Sequence, residues 1–166
     1  MANSARRSAS EELADPTTVT REDVLLRLRE WRDRVHGLYD EIEQALQGHG
    51  FQFDRQGKHT STEPLVQAAG VGQEEQPKID ILRIVRPDGT NAAVFHPRGP
   101  WVVGANGRID LRLSPSVGRS HAYILMDQSG PFSAPYWARM PIGAPFEREQ
   151  FDPAWLLSKL NGQRSG

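Results

Sequence analysis

A chain of 166 residues, 37% hydrophobic and 25% charged, is long enough for one buried core and too short for two ordinary domains. It has no cysteine, which excludes disulfides, thiolate metal sites and cysteine nucleophiles. A net charge of −1 gives no general attraction for nucleic acid or anionic membrane, so neither is an expected partner.

No apolar run approaches the roughly 20 residues of a membrane span, and the first residues lack the apolar core of a secretory signal. Of the 20 basic residues only Lys58, Lys78 and Lys159 are lysines. That ratio reads as a coding bias, so each arginine is weaker evidence of an anion site. A cytoplasmic, bacterial protein is the expectation.

Residues 1–19 are rich in serine, alanine and charge and are expected to be a mobile tail, as are 163–166. One domain is expected over 20–162. It opens with a helix: Thr20 is an N-cap residue, acidic residues follow it, and Gly48 closes the pattern. Val24, Leu28, Trp31, Val35, Leu38, Ile42 and Leu46 recur every three or four residues, and Leu25 and Tyr39 widen the stripe. Arg27, Glu30, Arg34 and Glu41 fall on the opposite, solvated face. Gly37 costs the helix about 1 kcal/mol relative to alanine and marks a close crossing or a bend. The stripe is nearly heptad, so a dimer seam competes with core packing.

Phe51 and Phe53 alternate with polar residues as a short strand would. Ser61 or Thr62 then caps a brief helix with Pro64 in its first turn and Gly70 as its stop. After Lys78 the period becomes two. Asp88-Gly89 predicts a hairpin pairing Ile84 with Ala93 and Leu82 with Phe95. Both faces of that hairpin are apolar, which suits a central or doubly covered position.

Asn106-Gly107 predicts a second, two-residue turn. Closing there places Trp101 opposite Arg112 and gathers Trp101, Arg108, Asp110 and Arg112 on one polar face. Arg98 and His96 from the preceding strand, Arg119 from the loop, and His121 and Tyr123 from the following strand are expected beside them. Two more strands, over 120–128 and 136–140, are joined by "SGPFSAP". A closing helix has Asp152 as cap, Pro153 in its first position and Gly162 at its end. The fold class is therefore α+β: a long N-terminal helix, a mainly antiparallel meander of about six strands, and a short C-terminal helix.

No G-x-S-x-G elbow or phosphate-binding glycine loop occurs. The histidines at 36, 49, 59, 96 and 121 have no HxH or HxxxH spacing, so no metal and no cofactor is expected. Carboxylates on strands are too sparse for a metal-dependent nuclease. Lys58, His59, Thr60 and Ser61 precede a helix start, where capping alone accounts for them. The first functional expectation is a protein-interaction module that binds a partner or itself through the first helix or the sheet face. Its expected contact residues are Trp101, Arg98, Arg108, Arg112 and Tyr123, with Tyr136 and Trp137 exposed on a proline-stiffened loop. The alternative is a small hydrolase or phosphate-handling enzyme with His59, His121 and Asp110 as catalytic candidates and Arg108 holding the anion.

Overall fold

A computed structural model describes residues 19–102, 104–114, 122–130, 132–144 and 146–162. The expected tails at 1–19 and 163–166 lie, apart from Val19, outside the described residues. The first helix, α1, spans Arg21–Leu46 and starts at a capping box in which Thr20 and Asp23 satisfy each other's backbone N–H groups. The predicted apolar stripe is buried from Val24 at one end to Leu46 at the other, with Leu25 at its margin only partly covered. Full burial of each such side chain is worth about 1.5–3 kcal/mol, so packing holds this helix more than propensity does. Leu28 and Leu38 of the stripe are buried in the chain's own core.

The remaining elements are β1 (Gln52–Asp54), β2 (Lys58–His59), α2 (Pro64–Ala68), β3 (Ile79–Asp80), β4 (Leu82–Val85), β5 (Asn91–Gly99), β6 (Arg108–Leu113), β7 (Ala122–Asp127), β8 (Trp137–Pro141), β9 (Glu149–Gln150) and α3 (Pro153–Gly162). Seven strands form one antiparallel sheet in the order β1-β4-β5-β6-β7-β8-β9, and β2 pairs with β3 in a small second ribbon. The expected α+β meander between two helices is present. Glu63, not Ser61 or Thr62, is the N-cap of α2, and the Ser61 hydroxyl instead accepts from the Glu63 N–H at 3.2 Å.

The β4–β5 hairpin pairs Ile84 with Ala93 and Leu82 with Phe95, as the sequence predicts. Its loop is longer than two residues, because Arg86 N–H bonds Thr90 O and Gly89 adopts φ 86. A left-handed glycine after a tight turn adds a bulge and shifts Val85 onto Asn91.

The second predicted turn is corrected. Asn106 N–H bonds Asp127 O at 2.7 Å and Asp127 N–H bonds Gly107 O, so 106–107 extends toward β7 and does not close a hairpin. The reversal lies at Gly104, φ 77, within a Val102–Ala105 bridge. Consequently Arg112 faces Val94, not Trp101. Trp101 packs instead with Val24, Leu28, Val66 and Val71 in a small cluster between α1 and α2.

One face of the sheet, carrying Leu82, Ile84, Phe95, Ile109, Leu111 and Leu125, packs on α1 and α3. Tyr123 belongs to this inner face: it stands opposite Leu111 and meets the Trp155 ring of α3 edge-on at 5.0 Å. Trp137, expected to be exposed, is only 7% exposed and packs on Trp31, while Tyr136 is exposed at 48%.

Candidate functional site

On the outer face the strand alternation places Val94, His96 and Arg98 of β5 beside Arg108, Asp110 and Arg112 of β6. Val94, His96, Arg98, Asp110 and Arg112 line a shallow depression of about 280 Å³. A bulge between Pro97 and Gly99 lets Arg98 lean back over β6. Asp110 accepts from Arg98 Nε at 2.7 Å on one oxygen and from Arg108 Nε at 2.8 Å on the other. Burial alone would raise its pKa; the two guanidiniums outweigh that and hold it below the ordinary carboxylate value. Asp110 is therefore an ionised structural anchor, poorly suited to act as a general base. Arg112 is exposed and has no ion pair among the described residues.

The β2–β3 ribbon brings His59 against His96, with Nδ1 of the first 3.4 Å from Nε2 of the second. The other nitrogen of His59, Nε2, lies 3.3 Å from Arg98 O. A carbonyl only accepts, so His59 Nε2 carries the proton, and its bare Nδ1 accepts from His96 Nε2–H. Such a pair accommodates one added proton and not two. Burial lowers the pKa of His59, and the neighbouring His96 and the Arg98 charge lower it further. Burial also lowers that of His96, helped by Arg98 and Arg112 and opposed by Asp110. On α1, His36 accepts from Asp80 N–H at 3.0 Å and is lowered chiefly by burial as well.

These shifts have a definite sign. Each folded-state pKa lies below the ordinary 6.5, so the unfolded chain takes up protons first as the pH falls. Stability is then lost as the pH drops below about 6.5 and levels off beneath the folded values. Urea midpoints measured between about pH 7.5 and 5.5 should fall, and a His59→Gln, His96→Gln chain should show a shallower fall. Equal slopes in the two chains would show that the pair does not titrate as described.

Of the residues expected to share this face, Arg98, Arg108, Asp110 and Arg112 do, and His59 joins them through His96. Tyr123 and Trp101 do not, for the packing reasons given above. Arg119 and His121 lie outside the described residues. Lys58 is turned away, paired with Asp80. Among the described residues no three His, Asp or Glu side chains gather as a metal site.

A second concavity was not foreseen from the sequence. Arg34, expected on the solvated face, is 6% exposed and reaches from α1 to the β7–β8 connection. All five of its N–H donors have acceptors: Glu30, Asp127 at 2.5 Å, Ser129 Oγ, Gly130 O and Ser133 O. Asp127 is fully buried, and its other oxygen accepts from Ser129 and from Tyr136 N–H. Glu30 also accepts from Phe132 N–H at 2.8 Å. Between the helix and this strapped connection runs a groove of about 500 Å³. Glu30 and Arg34 lie seven and three residues before Gly37 and one turn apart, a spacing a solvated ion pair shares; only the distant Asp127 makes it a tether. No protein-family model, no curated protein and no solved structure matches this chain.

Proposed function

We propose that the protein is a non-enzymatic binding module whose outer sheet face takes an acidic segment of a partner protein. One observation carries this reading: three arginines surround a single carboxylate, and that carboxylate occupies Arg98 and Arg108 while Arg112 has no ion pair among the described residues. The next strand offers half-buried Ile124 and Met126 beside them, opposite Asp110 and Arg108. A face with cations on one side and apolar groups on the other suits an amphipathic, acidic ligand.

Anisotropy titration of a labelled peptide alternating glutamate and leucine tests this. Binding should weaken with added salt and drop by about tenfold in Arg112→Glu. Equal binding by the variant would overturn the reading.

A second reading, a phosphate-handling hydrolase, is favoured by the His59–His96 contact beside arginines, which offers a proton-transfer group next to an anion seat. It requires turnover of an aryl phosphate that His96→Ala abolishes. Absence of turnover in the wild-type chain removes it.

A further inference from the structure

We propose that the groove between α1 and the β7–β8 connection binds a short segment of a partner protein bearing a lysine or arginine beside an apolar residue. Three features of this place have no explanation in the fold alone. The first is Gly37. Glycine within a helix costs about 1 kcal/mol relative to alanine, and a close crossing or a bend would justify it. No close crossing does so here: a Cβ at Gly37 would meet nothing within 4 Å, and α1 continues as one helix on both sides of it. What the missing side chain leaves open is the groove, of which Gly37 forms part of the wall.

The second is Phe132. Among the described residues it is the one non-glycine residue with positive φ, 57°, and its ring is 66% exposed at the groove's lip. A bulky residue in that conformation carries strain, and the surrounding structure enforces it: Glu30 holds its N–H, and Arg34 holds the carbonyls of Gly130 and Ser133 on either side. The fold thus holds an aromatic ring in solvent at the edge of this groove, where burying it would be the ordinary outcome.

The third is charge. The floor is apolar, formed by Leu38 and Trp137, which are nearly buried, with Pro135 beside them. Arg34 adds no free cation, because every donor it has is engaged internally. Among the described residues, the rim carries Glu41, exposed and without an ion pair, and Asp33, its side chain 69% exposed and paired only with its neighbour Arg32. An apolar slot with carboxylates along one lip selects a side chain with a hydrocarbon stem and a cationic head. Trp137 and Phe132 add ring faces that favour such a head over a neutral one. The volume matches one or two side chains of a peptide, within the range of ordinary ligand pockets of roughly 300–1,000 Å³. This surface is separate from the arginine face, and its partner has the opposite charge.

A fluorescently labelled peptide alternating lysine and phenylalanine is the probe, with the same peptide carrying glutamate for lysine as comparison. Two variants test the groove: Gly37→Phe fills it from the helix, and Glu41→Lys reverses the rim without filling it. Circular dichroism and urea midpoints establish that each remains folded. Binding of the lysine peptide is expected to weaken by about tenfold in each variant, and the glutamate peptide to bind about tenfold more weakly to the wild-type chain. Three results would overturn the proposal. They are undiminished binding by folded Gly37→Phe, equal binding of the two peptides, and a wild-type dimer in sedimentation that Gly37→Phe dissolves. The last would make a second copy of this chain the occupant.

Discussion

Replacing Arg34 with alanine is expected to destabilise the protein by about 3–5 kcal/mol, a large share of the roughly 5–15 kcal/mol that holds a domain folded. The cost comes less from the lost attraction than from what remains. Asp127 is fully buried, and without the guanidinium its ionised carboxylate has only Ser129 and the Tyr136 N–H to satisfy it. For a chain of this length, at roughly 2–4 °C per kcal/mol, the melting temperature should fall by about 6–20 °C. Arg34→Lys should recover only part of this, since an ammonium brings three donors from one point where five diverging ones are used. The decisive measurement is a double-mutant cycle with Asp127→Ala. Removing both partners should cost less than the sum of the single changes. Additive costs would mean that the two groups do not depend on each other. Because Arg34 also holds the carbonyls on either side of Phe132, its loss should loosen the β7–β8 connection and speed amide exchange there.

Gly107→Ala is the second change with a large expected cost. The backbone there has φ 143, which side chains rarely adopt, and an added Cβ would lie 2.0 Å from Cζ3 of Trp31. Trp31 cannot retreat easily, since it is fully buried and packed against Trp137 with ring centroids 5.9 Å apart. Overpacking and backbone strain together predict a loss of about 2–5 kcal/mol in urea unfolding. Trp31→Leu would open room for the methyl group, at the cost of its own cavity. Gly107→Ala placed in the Trp31→Leu background should therefore cost clearly less than in the wild-type chain. An equal cost in both would locate the penalty in the backbone alone.

The fate of Asn106-Gly107 shows why local turn chemistry misled. The pair is a strong hairpin signal over a few residues, and nothing in its neighbourhood argues against it. The structure uses the same glycine for another reason, the close approach of a tryptophan 76 residues away, and uses the Asn106 backbone to continue pairing with β7. A buried indole and a sheet hydrogen bond outweigh a turn preference worth a fraction of either. The consequence was local. Alternation along β6 survived the misplaced turn, so Arg108, Asp110 and Arg112 still share the outer face, while Trp101, which depended on the turn, does not.

Periodicity and caps, which are properties of neighbouring residues, fix α1 from Thr20 onward, the inner faces of β4, β5 and β6, the start of α3 at Asp152, and the α+β class that follows from them. These features need only the 3.6- and 2-residue repeats and the burial of whichever face is apolar. Contacts between residues far apart in the chain carry no such signature. Three of them define the sites: His59 on His96, Tyr123 turned under Trp155, and Arg34 tied to Asp127. The last converted a helix position that reads as solvated into the buried tether of a groove. An arginine at the edge of an apolar stripe looks the same in sequence whether water or a distant aspartate receives its protons, and only the packing of the β7–β8 connection against α1 decides between them.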